Sequence, residues 1–237
     1  MIRLVAIASS KGGVGKTTIA LNLAFALTKL GLDSMVVDGD MRMPNVGMHL
    51  GSPKLDATLH SVLAGTSKPH DALYLHTPSG TRLMPGDIGH TQDINANHLL
   101  GLARNLSGLA HVALVDSASG LGEESLAVIK TANEVIVITT PDMPAVIDTL
   151  KTVKAAKDNK IHVRGVIVNR ARGDDHELQP TNVATLLGVP LMAVVPEDDA
   201  VRESLRMKHP VVYSHPDSKA SVALRACAES LVRYPRG

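Results

Sequence analysis

The sequence predicts an α/β fold, a doubly wound and mostly parallel sheet flanked by helices, running as a single domain over residues 1–237. Three observations predict it. Short apolar runs rich in β-branched residues alternate with helical patterns along the whole chain, as strands buried on both faces require. Apolar residues make up 44% of the chain and charged residues 20%, a core-forming composition that excludes intrinsic disorder. A glycine-rich turn stands between the first apolar run and the first helical pattern.

The elements follow in order. A strand is expected over residues 3–8, then a helix over 17–30 closed by Gly31, then a strand over 34–38. Segments 73–76 and 81–84 flank Pro78, Ser79 and Gly80 and read as a small hairpin. Helical spacing over 95–107 precedes a strand over 111–116, and a helix over 123–131 precedes a strand over 134–140. A helix over 145–157, a strand over 163–169, a helix over 182–187 ended by Gly188 and a strand over 191–195 continue the alternation. The last helix is expected over 218–232, stopped by Pro235. Right-handed crossovers would join the parallel strands.

Charge and composition exclude several classes of function. With 24 Lys and Arg against 23 Asp and Glu the formal charge is +1, which removes the electrostatic basis for a dedicated or sequence-specific nucleic-acid binder. Phe25, Tyr74, Tyr213 and Tyr234 are the whole aromatic set, so no base-stacking platform exists. A single Cys227 forms neither an internal disulfide nor a zinc knuckle. The apolar run over 4–8 is too short for a signal peptide, and nothing approaches the roughly 18 residues of a membrane span. A cytoplasmic protein is expected. The histidines show no metal-ligand spacing, and Asp174-Asp175-His176-Glu177 reads as a polar entry to a helix.

The chemistry concentrates in Lys11-Gly12-Gly13-Val14-Gly15-Lys16-Thr17-Thr18, between the first strand and the first helix. Glycines let backbone N–H groups curl toward an anion without Cβ clashes. The helix beginning near Thr17 adds unpaired donors and its dipole. Lys16 supplies positive charge to the outer phosphates of a nucleotide, the Thr17 hydroxyl is a hard oxygen ligand for Mg²⁺, and Thr18 offers a hydroxyl to the inner phosphate. Ser10 stands where the usual phosphate-loop pattern has glycine. Asp38, Asp40 and Asp116 lie at or just after strand C-termini, where open α/β sheets bind ligands. Carboxylates there hold a metal through water or orient an attacking water. Asn169 ends a later strand with an amide suited to a purine edge.

The additional Lys11 in this loop resembles the deviant phosphate loop of the MinD/ParA ATPase superfamily. Val36-Val37-Asp38-Gly39-Asp40 with Pro44-Asn45 resembles its first switch, and Leu114-Val115-Asp116-Ser117 with Gly120-Leu121 its Walker B strand and second switch. Val166-Ile167-Val168-Asn169-Arg170 resembles its adenine-side strand end, and Val195-Pro196-Glu197-Asp198 with Val201-Arg202 is similar to the MinD branch. The resemblance implies ATP and ADP as ligands with Mg²⁺, and an ATP-bound homodimer in which Lys11 reaches the partner's nucleotide. It further implies that Asp40 handles the attacking water, that Asp38 and Asp116 support the metal through water, and that Arg170, Pro196 and Asp198 border the base. Ala118 departs from the proline usual in the second switch, which implies a looser loop.

The implied function is a MinD-like ATPase with slow, partner-stimulated hydrolysis, serving septum-site placement or polar positioning. A ParA-type DNA-segregation ATPase and a nucleotide-gated scaffold with negligible hydrolysis are the alternatives. Lys151, Lys154 and Lys157 recur on one side of the helix over 145–157, where the resemblance implies a regulatory protein docks. Residues 221–236 lack the bulky apolar and basic faces of a membrane-targeting helix, so membrane association is expected only through a partner.

Overall fold

Strand β1 (Arg3–Ala8) shows why the sheet is apolar throughout. Leu4, Ala6 and Ala8 enter one core and Val5 and Ile7 the other, because successive side chains of a strand point to opposite faces. The computed structural model describes residues 2–52, 55–89 and 96–233. Among these, β2 (Ser34–Gly39), β3 (Tyr74–His76), β4 (Thr81–Met84), β5 (Val112–Ser117), β6 (Glu134–Thr139), β7 (His162–Ala171) and β8 (Leu191–Pro196) join β1 in one sheet of order β3-β4-β2-β5-β1-β6-β7-β8. Every pairing is parallel except that of β3 with β4, which form the expected small hairpin.

Helices cover both faces. Against one lie α1 (Lys16–Lys29), α9 (Val211–Ser214) and α10 (Lys219–Arg233), whose Leu23, Leu27, Leu224 and Leu231 share a core with Val36, Leu114 and Ile136. Against the other lie α3 (Leu59–Leu63), α5 (Glu123–Thr131), α6 (Met143–Asp158) and α7 (Pro180–Leu187). Short α2 (Val46–His49) follows β2, α4 (Leu102–Asn105) precedes β5, and α8 (Asp199–Arg206) follows β8. No described helix is long and apolar enough to cross a membrane.

The expected helix over 95–107 is corrected. Residue 95 lies outside the described residues, and the rest divides into a 3₁₀ segment (Ala96–Gly101) and the single turn of α4. Gly101 stands at the division, where its conformational entropy disfavours a continuous helix. The expected stop at Pro235 also lies outside the described residues. Helices α2, α3, α8 and α9 carry too few apolar positions to announce themselves by period, and Asp198 starts α8 by capping it. Gly31 does end α1: at φ +83 it lets Leu32 N–H bond back to the Leu27 carbonyl at 3.0 Å.

Topology positions the site. The chain builds β2 to β5 on one side of β1, then crosses to β6, β7 and β8 on the other, so the order reverses at β1. The crevice at that reversal, beyond the strand C-termini, is where open α/β sheets take ligands.

Candidate nucleotide site

The loop after β1 turns on two left-handed glycines, Gly13 at φ +77 and Gly15 at φ +96. Gly15 is also the residue before α1 and brings no side chain to cap it. The first N–H groups of a 14-residue helix are therefore not bonded by a capping side chain, an anion-binding arrangement. A Cβ on Gly15 would come within 2.4 Å of Asn169 Nδ2, so space and backbone both demand glycine. Ser10 fits without a positive φ and its hydroxyl meets that of Thr152 on α6 at 2.6 Å, which explains the departure from the usual glycine.

Lys16 is buried, and its ammonium donates to Ser119 Oγ at 2.7 Å. Burial lowers its pKa, while Asp116 and Asp40 act to raise it. Beside it the Thr17 hydroxyl donates to Asp116 Oδ2. The other Asp116 oxygen is buried with no hydrogen-bond partner among the described residues. Burial pushes the Asp116 carboxyl up to about 7, against the Thr17 hydroxyl and Lys16, which lower it. Asp40 adds to the rise, and strand register stands Asp38 on β2 directly beside Asp116 on β5. Asp38 is raised well above the usual range, first by burial and then by Asp116. It remains in place because Val46 N–H donates to Oδ2 at 2.9 Å and Asp40 N–H to Oδ1 at 3.4 Å.

Asp40 is half-buried just past β2, with Oδ1 accepting the Met43 N–H at 3.0 Å. Its loop is tied to α5 by Arg42 Nε on Glu124 Oε1 at 2.9 Å and to α3 by His60 Nε2 on the Met41 carbonyl at 2.8 Å. Sequence reasoning missed Ser119, Glu124 and His60. Ser119 had a signal, its place after Asp116 in the second switch; Glu124 and His60 had none, because only the folded loop brings them to Arg42 and Met41. The second switch, which carries Ala118, is hydrogen-bonded at Gly120 on both sides. Gly120 N–H reaches the Ser9 carbonyl at 3.3 Å, and the Ser125 hydroxyl donates to the Gly120 carbonyl at 2.8 Å.

Lys11 points away from Lys16. Its ammonium meets Asp142 Oδ1 at 3.0 Å, both side chains being partly exposed. Burial would raise the Asp142 pKa, but hydrogen bonds from Thr140, Lys11 and the Ala145 N–H outweigh it and hold the carboxyl below its usual value. Asp142 also caps α6.

The base-side residues surround a cavity of about 130 Å³ lined by Gly15, Thr18, Asn169, Arg170, Pro196 and Asp198 among others. Two of them are committed elsewhere. Asn169 Nδ2 donates to the Val14 carbonyl at 2.7 Å, so the donor expected to face a purine is turned onto the phosphate loop. Asp198 accepts from Ala200 N–H at 2.9 Å and Ala220 N–H at 3.0 Å, starting α8 and helping hold α10. Burial would raise its pKa, and these backbone bonds pull it below the usual range. Arg170, next to the last residue of β7, takes a left-handed conformation at φ +57 where the pairing with β8 shifts register.

The donor set suits Mg²⁺. A threonine hydroxyl and an unsatisfied carboxylate oxygen lie beneath an anion-binding helix terminus. No group of three or more His, Cys, Asp and Glu side chains among the described residues is arranged to hold a metal alone. Magnesium completed by nucleotide phosphates needs no such group.

A family model described as the CobQ/CobB/MinD/ParA nucleotide binding domain matches residues 5–211. The chain belongs to this family. Within it the chain stands close to MinD. The septum site-determining protein MinD of Pyrococcus horikoshii, solved as a complex with Mg-ADP, is 32% identical and superposes with a TM-score of 0.89, over 98% of this chain and 96% of that one. An uncharacterized ATP-binding protein of Methanocaldococcus jannaschii is 35% identical over 96% of this chain and 87% of its own length. The antiactivator FleN of Pseudomonas aeruginosa is 30% identical over 99% of this chain and 88% of its own. The fold is that of the family's phosphate-loop ATPases, and the family's chemistry is ATP hydrolysis.

Proposed function

We propose that this chain is a MinD-type ATPase, one nucleotide-binding domain that dimerises on ATP, separates after slow hydrolysis and serves spatial regulation of cell division or polar positioning. The observation that carries this reading is the pair of half-buried Thr17 and buried Asp116, with its orphan carboxylate oxygen, under the uncapped start of α1. Thr17, with Asp116 and Asp38 behind it through water, would hold Mg²⁺, and bound Mg²⁺ supplies neutralisation of charge on the phosphate oxygens. Backbone N–H groups from Gly12 to Thr18 cradle the phosphates. Lys16 exchanges the Ser119 hydroxyl for a phosphate oxygen, a stronger partner because both are charged. Asp40 orients water for attack, and the cavity beside Arg170 and Pro196 takes the base.

Lys11 has the second-subunit role. Its ion pair with Asp142 is exposed enough to be worth less than about 1 kcal/mol, so a partner's phosphate outcompetes it. Moving a population from 1:99 to 99:1 takes about 5.5 kcal/mol. Two reciprocal lysine–phosphate contacts at about 1.5–3 kcal/mol each, with ordering of the switches, supply that. The test is molecular mass by size exclusion with light scattering, with ADP and with non-hydrolysable ATP. Lys16→Ala loses nucleotide. Lys11→Ala keeps nucleotide and stays monomeric; dimerisation equal to wild type overturns the trans role.

Met143, Ile147 and Leu150 form an exposed apolar stripe on α6 beside Lys151 and Lys154, a surface for a regulatory protein that stimulates turnover. Helix α10 spends Ala220, Leu224, Cys227 and Leu231 on the core, so that face of the helix is not offered to a membrane. The likeness to an antiactivator favours a second reading, a nucleotide-gated binder of a protein partner with little turnover. ATP-dependent dimerisation without partner-stimulated phosphate release would select it.

A further inference from the structure

The segment after Asp40 is held from both sides. The Glu124 carboxylate belongs to the first turn of α5, directly after the second switch. The same carboxylate takes Arg42 Nε at 2.9 Å. On the opposite side the Met41 carbonyl meets His60 Nε2 at 2.8 Å. His60 Nδ1 accepts the Asp87 N–H at 3.0 Å, which assigns the ring proton to Nε2 and makes His60 the donor to Met41. The Met41 side chain is buried in the core cluster that also holds Leu59 and Val62 of α3 and Val128 of α5. Packing tightens the same corner: a Cβ on Gly86 would stand 2.4 Å from Pro44 Cβ and 3.2 Å from His60 Cε1.

We infer that Glu124 and His60 are positioning residues that clamp the Met41–Arg42 segment between α5 and α3, Glu124 through the Arg42 side chain and His60 through the Met41 carbonyl, fixing the loop that carries Asp40 and coupling the second switch to the first. Neither side chain touches the reacting atoms; His60 acts through the Met41 backbone and Glu124 through the Arg42 side chain, one and two residues beyond Asp40. The inference rests on the reading of Asp40 as the water-orienting carboxylate. Movement of α5 when the second switch rearranges pulls on Arg42 through Glu124, and the link through His60 to the loop at Asp87 resists it. Asp40 therefore reports the state of both switches.

The test combines steady-state hydrolysis of Mg–ATP with hydrogen exchange over residues 38–46, with Asp40→Asn as reference. Glu124→Ala is expected to speed exchange in that segment and to lower kcat about tenfold, since small misplacements of a positioned group are costly, while KM stays within about twofold. Glu124→Gln keeps an acceptor for Arg42 Nε and is expected to recover much of the rate. His60→Gln, which retains a donor near the Nε2 position, is expected to outperform His60→Ala. Should His60→Ala fail to fold, the Glu124 series decides by itself. Unchanged exchange and kcat in Glu124→Ala, beside an inactive Asp40→Asn, would overturn the clamp. Wild-type turnover by Asp40→Asn would instead overturn the role of Asp40, and exchange in Glu124→Ala would still judge the clamp.

Discussion

The two ends of the central sheet treat buried charge in opposite ways. At the N-terminal end of the strands, Glu134 on β6 lies between Arg3 on β1 and Arg164 on β7, the first pairing close and the second at 3.5 Å. One carboxylate there is shared by two guanidiniums, and its burial is compensated. At the C-terminal end, Asp38 and Asp116 face each other in register with Lys16 as the cation beneath them, and one Asp116 oxygen has no partner among the described residues. One sheet thus satisfies buried charge on β1, β6 and β7 at one end and leaves it in deficit on β2 and β5 at the other. Charge left uncompensated in the apo fold is what a cation and an anionic phosphate chain can offset, so the frustrated end is the binding end.

Breaking the satisfied end should have the largest effect. Glu134→Ala removes the carboxylate shared by two largely buried guanidiniums, and loss of about 3–5 kcal/mol of unfolding free energy is expected in urea titrations. Nucleotide affinity of the folded fraction should not change, because the two ends lie at opposite edges of the sheet. Equal losses of affinity and stability would dissolve the contrast.

The strained end should respond with the opposite sign. Asp116 is raised in the folded state to about 7, so the fold binds its proton more tightly than the unfolded chain does. Its contribution is therefore fully present below the unfolded pKa near 4 and is lost as pH rises through 7. Without metal or nucleotide, stability should fall across that window by on the order of 2–4 kcal/mol, because each tenfold difference in proton affinity is worth about 1.4 kcal/mol. Asp116→Asn should flatten the slope and raise the melting temperature above pH 7, while abolishing stabilisation by Mg–ATP. A melting temperature below wild type at pH 8 without ligand would contradict this. The Asp38 pKa moves in the same direction, so the slope should flatten only in part.

The smallest effect belongs to the exposed edge of the site. Asp142→Asn weakens the Lys11 pair but keeps an acceptor for the Ala145 N–H, so stability should move by less than about 1 kcal/mol. ATP-dependent dimerisation should rise, if anything, since Lys11 is released. A large destabilisation would mean that the Asp142 charge holds α6 in place and is more than a resting partner for Lys11.

Much of this was legible in the residue order. The six long parallel strands, the hairpin and the helices α1, α5, α6, α7 and α10 follow from period and composition, because strands buried on both faces must be apolar throughout. The phosphate loop is legible because no other residue types serve: left-handed glycines, then lysine and threonine at a helix start. Asn169 and Asp198 were legible only as neighbours of the cavity. An amide and a carboxylate at strand ends take whichever backbone groups the fold brings nearest, here the Val14 carbonyl and the N–H groups of Ala200 and Ala220.

Residue order alone settles the layered architecture, the anion-binding loop and the set of charged groups above it, since each is written in local spacing and in residue chemistry. Folding in three dimensions was needed to stand Asp38 beside Asp116, to rest Lys11 on Asp142, and to bring Glu124 and His60 to Arg42 and Met41. These are pairings between residues far apart in the chain, and strand register, helix packing and burial set them with no local signature.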